Sequence, residues 1–278
     1  MVHHGSDLVR VACFAGAGLL VLAGATLDLV LLFLLQQRAK ALSLPRLSDL
    51  RGRPLGLPQA FLVLMVTLLF AASGLLQTPG APRPAEASLV AGPLIYALAG
   101  LLATAAGLFL ARSTFRDAFA PKALSAPRSL AQGALFGLAA LPPVILLSLA
   151  LSSATESLGF EPRLQEVFDW LSDGSVSAGT RGFMMVAAVV IAPVVEETLF
   201  RGVLFTSLLK GRSFASAALL SGLYFALVHV HAPSLLPLLA LSVAFSAAYA
   251  ATGSLLTPIV MHALFNLTSL LLFLGDRG

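Results

Sequence analysis

Residues 191–202 read IAPVVEETLFRG and place two adjacent carboxylates, Glu196 and Glu197, near a guanidinium, Arg201, within a long apolar run. The eight residues before this stretch, FMMVAAVV, and the three after it, VLF, are all apolar. An ionisable side chain costs about 2.5–3.5 kcal/mol at the centre of a membrane-inserted helix, so charges retained there indicate function. The stretch therefore predicts a helix that crosses a membrane and carries a functional site.

The spacing of the three charges separates their roles. Glu197 and Arg201 are four residues apart, so they share one helix face and can form an ion pair that offsets much of the cost of burial. We assign this pair a supporting role. Glu196 is rotated by about 100° from Glu197, which directs it towards something other than the arginine. The alternative is that the charges form a structural ion pair that locks two helices together.

Pro193 lies three residues before Glu196. A proline within a helix donates no backbone hydrogen bond and crowds the carbonyl four residues earlier, here that of Val189. The sequence therefore predicts a kink beside the two glutamates.

The composition is that of a polytopic membrane protein. Hydrophobic residues make up 58% of the chain and charged residues 11%, whereas soluble domains carry about 25% charged residues. The formal net charge of +4 does not indicate nucleic-acid binding, and a single cysteine, Cys13, excludes an intramolecular disulfide. The first apolar run is too long for the core of a signal peptide, so we expect it to be retained as a membrane span.

The predicted fold is an all-α, polytopic integral membrane bundle of about eight transmembrane helices. We expect residues 1–181 to form N-terminal scaffold helices and residues 182–278 to form the catalytic core. Gly133 and Gly137 suit close packing of the fourth span against another helix. A spanning helix needs roughly 20 apolar residues, and such runs occur near residues 11–36, 59–77, 88–111, 130–152, 182–209, 214–231, 234–252 and 256–274.

Basic residues concentrate in two loops, which sets the predicted orientation by the positive-inside rule. The loop after the second span, with Arg83, should be external, as should both termini. An acidic, amphipathic segment near residues 160–172 should form a short external helix at the membrane interface, with Trp170 as an anchor. The loops after the first and third spans should face the cytoplasm, because they carry Arg38, Lys40, Arg46, Arg51, Arg53, Arg112, Arg116, Lys122 and Arg128.

Two further apolar spans contain polar side chains at helical spacing. Phe225, in a supporting role, and His229 are four residues apart in the sixth span, and His262 and Asn266 are four apart in the eighth. Three helices that each break their apolar pattern in this way predict one shared polar site. In the predicted topology His229 lies near the outer end of its span and His262 nearer the inner end of its own. The shared site therefore requires a tilted or broken helix. Breaks are possible at Pro233, Pro237 and Pro258, because irregular backbone is tolerated where it lines a watery cavity.

These side chains are suited to hydrolysis. A carboxylate near a histidine can take a proton from water, and imidazole and amide N–H groups can stabilise the oxyanion that forms when a peptide carbonyl is attacked. No serine, threonine or cysteine is placed as an activated nucleophile beside a base, which disfavours a covalent intermediate. A second interpretation stays open, since Glu196, His229 and His262 could form a two-histidine, one-carboxylate zinc site.

The three motifs resemble those of the CPBP family of intramembrane proteases, which includes the type II CAAX prenyl proteases and bacterial bacteriocin-processing and self-immunity relatives. The resemblance covers roughly residues 182–274. It implies that Glu196 and His229 activate water, that His262 and Asn266 form the oxyanion site, and that the hydrolysis is glutamate-dependent without an obligatory metal. The motifs that carry it stand in the family's order on successive apolar segments: Glu196-Glu197-x-x-x-Arg201, Phe225-x-x-x-His229 and His262-x-x-x-Asn266.

The sequence therefore predicts an intramembrane endopeptidase in a prokaryotic cell membrane. Its expected partners are a peptide or membrane-protein substrate and the lipid bilayer, with no nucleic acid; no cofactor is expected, and zinc is the alternative. Two other functions stay open: a proton-coupled transporter in which Glu196, His229 and His262 form a relay, and a non-catalytic membrane scaffold or immunity protein. Asn266 favours hydrolysis, because a proton relay has less need of an amide donor. His231 falls outside the family pattern, and we expect a loop or interface role for it.

Overall fold

The structure is a computed structural model that describes residues 3–37, 44–75, 85–119, 125–159 and 166–277. Within these ranges the regular secondary structure is helical, with no strand, which confirms the all-α fold class. Several residues used in the predicted topology lie outside the described ranges, namely Arg38, Lys40, Arg83, Lys122 and residues 160–165.

We number the helices of the described residues in chain order. A 3₁₀ turn, Ala232–Ser234, connects the ninth helix to the tenth. The helices are α1 His3–Gln37, α2 Leu47–Arg51, α3 Leu57–Leu75, α4 Glu86–Leu110, α5 Phe115–Phe119, α6 Ala126–Ser157, α7 Glu166–Ser172, α8 Ala178–Leu209, α9 Phe214–Val228, α10 Leu235–Thr252 and α11 Leu256–Arg277.

Six of these helices contain runs that are long and apolar enough to cross a membrane, namely α1, α4, α6, α8, α10 with its preceding turn, and α11. Two shorter apolar helices lie in α3 and α9. The eight predicted spans correspond one to one to these eight helices. The prediction of a polytopic helical membrane bundle is therefore confirmed.

The sixth predicted span is shorter than the sequence indicated, and this allows the polar residues to meet. α9 ends at Val228, and its 15 residues rise about 22 Å, which is less than the ~30 Å hydrocarbon core of a bilayer. The chain breaks here and passes through the 3₁₀ turn that contains Pro233. Pro237 and Pro258 instead occupy the first turns of α10 and α11, where the backbone N–H groups have no helical partner to lose.

α8 is irregular on both sides of the two glutamates. π-helical segments cover Ala187–Ile191 and Thr198–Phe205, with an α-helical segment between them. The N–H that follows the first π segment bonds to the carbonyl five residues back. In the same register the next carbonyl, that of Ala188, would face the nitrogen of Pro193, which has no hydrogen to donate. Where a kink was predicted beside Pro193, the helix changes from π-helical to α-helical hydrogen bonding. The carbonyl left without a helical donor is that of Ala188, one residue earlier than the predicted Val189.

α1, α6 and α11 pack against one another, and glycines permit their close approach. A Cβ at Gly24 of α1 would overlap the carbonyl oxygen of Leu138 in α6. A Cβ at Gly133 of α6 would lie 2.7 Å from the Cβ of Val260, and Gly137 is packed on α11 in the same way. The close packing predicted for Gly133 and Gly137 is confirmed, and it fixes the position of the helix that carries His262 and Asn266.

α8 packs against α3, α4, α9 and α10 and contributes more buried residues to the main core than any other helix. Leu199, Phe200 and Phe205 of α8 join Phe225 of α9 and Tyr249 of α10 in one cluster, and each of these five residues is at most 1% exposed. Because interiors of this kind are close-packed, the helices that carry the polar residues have little freedom to move relative to one another.

The amphipathic segment predicted near residues 160–172 is helical over its described part, α7. Leu171 is buried in a small cluster with Met184 of α8 and Leu270 of α11, and Trp170 packs against that cluster. The apolar side of α7 therefore covers α8 and α11, beside the predicted site.

Candidate active site

A cavity of about 470 Å³ lies between α6, α7, α8, α10, α11 and the connection that follows α9. Its walls include all four residues that the sequence predicted to share a site, Glu196, His229, His262 and Asn266. The structure thus brings the four residues together from separate helices at one cavity.

Glu196 is the residue on which both histidines converge. Its Oε2 atom lies 3.9 Å from Nε2 of His229 and 3.9 Å from Nε2 of His262. These distances are too long for direct hydrogen bonds but suit a bridging water molecule. Glu196 Oε2 is buried and accepts no hydrogen bond from any residue that the structure describes. A carboxylate oxygen in this position is available to take a proton.

Glu197 and Arg201 form the predicted ion pair, with 2.9 Å between Arg201 Nη1 and Glu197 Oε1. Both side chains are buried, and Arg201 Nη2 also donates to the carbonyl and the hydroxyl of Ser242 in α10. The guanidinium stacks on the rings of Phe225 and Phe245, at 4.7 and 4.9 Å from the ring centroids. These contacts compensate a charge that would otherwise be costly to bury.

Glu197 has a second partner that the sequence did not predict. Its Oε1 atom also lies 2.9 Å from Nδ1 of His262 on α11. Since a carboxylate accepts, Nδ1 of His262 carries the proton and Nε2 is directed towards Glu196. The His262 ring is further held by stacking on Phe245, with 5.2 Å between ring centroids.

His229 is oriented by its own helix. As the C-terminal capping residue of α9, it places Nδ1 2.6 Å from the carbonyl oxygen of Phe225, one turn earlier. A carbonyl can only accept, so Nδ1 carries the proton and Nε2 faces Glu196. The Phe225 ring, 4.6 Å from the His229 ring, also contacts His262. The supporting position predicted for Phe225 thus brings it into contact with both imidazoles.

Asn266 reaches the carbonyl that Pro193 leaves without a helical donor. Its Nδ2 atom donates to the Ala188 oxygen at 2.8 Å. This contact fixes which end of the amide faces α8, and it uses one of the two N–H bonds of the amide group. The second N–H is available to the cavity that Asn266 lines.

Comparison with known proteins bears on this same part of the chain. Residues 179–268 match the family model of the type II CAAX prenyl endopeptidase Rce1-like proteins. We call these residues the Rce1-like segment. The family recognised from the three motifs is therefore confirmed, and the Rce1-like segment contains every predicted site residue.

A curated protein similar to part of this chain is the "Putative membrane peptidase YdiL" of Bacillus subtilis (strain 168). The two chains are 31% identical over 83 residues, which is 30% of this chain and 34% of the relative. The match thus spans about a third of the relative's length. No solved structure matches the chain.

His231 lies in the loop after α9, as predicted, but it also lines the cavity of the Rce1-like segment. Its Nδ1 atom is 2.7 Å from the hydroxyl oxygen of Ser234. The residue between the two histidines, Val230, has a positive φ of 51°. This conformation is unusual for a β-branched residue, and it accompanies a turn that brings both imidazoles to one cavity.

The N-terminal half also contributes to the site, which the sequence analysis missed. A second cavity of about 230 Å³ is lined by Glu196 and His229 together with Thr67 and Phe70 of α3 and Tyr96 of α4. Aromatic and threonine side chains in an apolar helix carry no sequence signal that separates them from ordinary core residues.

Glu196, His229 and His262 have the chemistry of a two-histidine, one-carboxylate zinc set, but their spacing is wide. Zinc bonds of about 2.0–2.2 Å in a tetrahedral site place ligand atoms roughly 3.3–3.5 Å apart, compared with 3.9 Å from each imidazole to the carboxylate here. No group of three or more histidine, cysteine, aspartate or glutamate side chains among the described residues has the arrangement of a metal site. The steps proposed below therefore use the protein side chains and water.

Proposed function

We propose that this protein is an intramembrane endopeptidase that hydrolyses a peptide bond with a water molecule activated by Glu196 and His229. The observation that carries the proposal is the position of Glu196, whose buried Oε2 accepts no hydrogen bond from a described residue and faces two imidazoles at equal distance. The match of residues 179–268 to the Rce1-like family model supports a peptidase over other hydrolases.

In the first step, water between Glu196 and His229 attacks the carbonyl carbon of the substrate. Glu196 takes one proton of this water, while Nε2 of His229 accepts a hydrogen bond from the other. The His229 proton on Nδ1 stays bonded to the Phe225 carbonyl, which keeps Nε2 free to accept. The carbonyl oxygen becomes an oxyanion.

Asn266 and His262 stabilise that oxyanion. Asn266 offers the N–H that is not bonded to Ala188. His262 can donate through Nε2 only if both of its nitrogens are protonated, because Nδ1 already donates to Glu197. With His262 protonated in this way, the charges of Glu196, Glu197, Arg201 and His262 sum to zero, which suits a buried site.

The second step breaks the carbon–nitrogen bond. The oxyanion reforms a carbonyl, and the departing amine takes the proton that Glu196 held. Water has then been divided between the two products, and Glu196 is again a carboxylate ready for another cycle.

The test uses two internally quenched peptides of one sequence that ends in a CAAX motif, one with a farnesylated cysteine and one with an unmodified cysteine. The purified full chain in detergent should cleave at least one of them, and Glu196→Gln should lower the rate by about 10²–10⁴-fold with an unchanged melting temperature. Glu156→Gln, an exposed carboxylate at the end of α6, is the matched control and should retain activity. No cleavage of either peptide by the wild type, or full activity in Glu196→Gln, would overturn the proposal.

The same assay addresses the role of metal. We expect activity to persist in a chelator, because the proposed steps need only side chains and water. Loss of activity in the chelator that zinc restores would instead make Glu196, His229 and His262 metal ligands.

The farnesylated and unmodified peptides also separate two substrate classes. Cleavage of the farnesylated peptide alone would assign a prenylated substrate, and cleavage of both would assign a peptide recognised without its lipid. The proposed location is a prokaryotic cell membrane, in which the eight apolar helices are embedded.

A further inference from the structure

Tyr96 of α4 stands beside the proposed catalytic carboxylate, although it belongs to the N-terminal half of the chain. It lines the cavity of about 230 Å³ that Glu196 and His229 also line. Asn266 lines the larger cavity of about 470 Å³ and is not among the residues that line this one. Glu196 and His229 therefore border both cavities, and a bound chain that passes them would enter the cavity of Tyr96.

The Tyr96 ring is held in place. It makes an edge-to-face contact with Phe70 of α3, with 4.9 Å between ring centroids. Tyr96 also lines an apolar cavity of about 230 Å³ together with Ala188 and Ala192 of α8. Ala188, Ala192 and Glu196 follow one another at four-residue spacing on one face of α8, and the two alanines also line the larger cavity. Tyr96 thus lies where three cavities approach the same face of α8.

The hydroxyl groups around this cavity differ in whether they have a hydrogen-bond partner within the fold. The hydroxyls of Thr67 and Tyr224 lie 2.9 Å apart, and each is also within hydrogen-bond distance of a carbonyl of α3, that of Val63 for Thr67 and that of Leu64 for Tyr224. The hydroxyl of Tyr96 makes no hydrogen bond to any residue that the structure describes. Half-buried tyrosines usually find a partner for the hydroxyl, so this donor has a use outside the fold.

We propose that Tyr96 is a substrate-binding residue whose hydroxyl donates a hydrogen bond to a backbone carbonyl of the peptide substrate as it passes Glu196. The expected ligand is therefore a polypeptide chain in an extended conformation, recognised through its backbone carbonyl groups. A neutral phenol suits this role, because it can donate to a carbonyl in apolar surroundings without bringing a further charge to the site. The inference rests on the proposed function, which it extends to a residue outside the Rce1-like segment.

The test compares two identical chemical changes. Tyr96→Phe and Tyr224→Phe each remove one hydroxyl, and the kcat and KM on the cleaved quenched peptide are measured with the melting temperature. Tyr96→Phe should lower kcat/KM by about 3- to 10-fold, the effect of one neutral hydrogen bond, with an unchanged melting temperature. Tyr224→Phe should lower the melting temperature, because its hydroxyl bonds within the fold, and leave kcat/KM close to that of the wild type.

A second measurement identifies the contact. In a set of peptides, each non-scissile amide is replaced in turn by an ester, whose carbonyl is a weaker acceptor. One replacement should slow cleavage by the wild type and have no effect on cleavage by Tyr96→Phe. A merely structural role of Tyr96 would not produce this loss of effect at a single position.

Four results are decisive. Wild-type kcat/KM in Tyr96→Phe, or ester effects that are equal in both proteins at every position, would overturn the inference while leaving the proposed function intact. A fall in the melting temperature of Tyr96→Phe that matches the fall in Tyr224→Phe would assign the hydroxyl to the fold and overturn it as well. A wild type that cleaves neither quenched peptide would overturn the proposed function itself, and with it this extension.

Discussion

Nδ1 of His262 donates to the same Glu197 oxygen that accepts from Arg201, with both distances at 2.9 Å. The second glutamate of the pair therefore links its own helix, α8, to the histidine of α11. Its carboxylate is buried, and so is the guanidinium that it pairs with. Glu197 thus orients a proposed oxyanion donor as well as compensating the charge of Arg201.

Glu197→Gln should lower both stability and activity. The change leaves the Arg201 charge buried without its partner, and breaking such a pair costs about 3–5 kcal/mol when one member is removed. It also weakens the contact that orients the His262 ring, so kcat should fall. The measurements are the melting temperature and kcat in detergent.

The neighbouring carboxylate supplies the comparison. Glu196→Gln should lose activity with an unchanged melting temperature, because Glu196 Oε2 accepts no hydrogen bond from a described residue. A melting temperature for Glu197→Gln equal to that of the wild type would show that the ion pair does not stabilise the fold.

Asn266→Ala should lower kcat by about 10²–10³-fold with a smaller change in KM, the pattern for loss of an interaction made in the transition state. The Ala188 carbonyl also loses its donor, so a modest decrease in melting temperature should accompany the loss of rate. Thr268→Val on the same helix is the control, because the Thr268 hydroxyl bonds to the Leu264 carbonyl of its own helix. A kcat for Asn266→Ala within a few-fold of the wild-type value would show that Asn266 does not stabilise the oxyanion.

The eight helices, the Glu197–Arg201 pair and the shared cavity could be predicted because they follow from apolar length and four-residue spacing. Sequence spacing describes contacts within one helix, and it cannot show which side chain a residue meets on another helix. The contact of Glu197 with His262 and that of Asn266 with Ala188 both cross from α8 to α11, so packing decides them. Tyr96 was missed for a related reason, since an aromatic residue in an apolar helix looks the same in sequence whether its hydroxyl faces a cavity or a neighbour.

Val230→Gly should stabilise the protein. Val230 follows the capping residue of α9 and has a φ of 51°, in the left-handed region that helices usually fill with glycine at this position. Relief of the backbone strain of such a residue should stabilise the folded state by about 1–3 kcal/mol. The greater conformational entropy of glycine in the unfolded chain offsets about 0.5–1 kcal/mol of this gain. We expect a higher melting temperature, and a lower kcat because the turn that holds His229 becomes more flexible.

Arg112→Gly tests the same physical effect away from the site. Arg112 is the other non-glycine residue with positive φ in the described part of the chain, at 48°. The substitution should raise the melting temperature and leave kcat unchanged. A decrease in melting temperature for Val230→Gly would mean that the Val230 side chain contributes more than its backbone costs.

The predicted orientation places the α8–α9 connection in the cytoplasm and the α7–α8 connection outside, and single cysteines can test it. Gly211 and Gly174 lie in these connections and are exposed, and a Cβ added at either one would have no neighbouring atom within 4 Å, so cysteine should be accepted at both. The chain has a single native cysteine, the buried Cys13, which is first replaced by alanine. In intact cells a membrane-impermeant maleimide should label Gly174→Cys at once, and Gly211→Cys only after permeabilisation, because Lys210 and Arg212 hold that connection in the cytoplasm. The reverse labelling pattern would invert the orientation while leaving the geometry of the site unchanged.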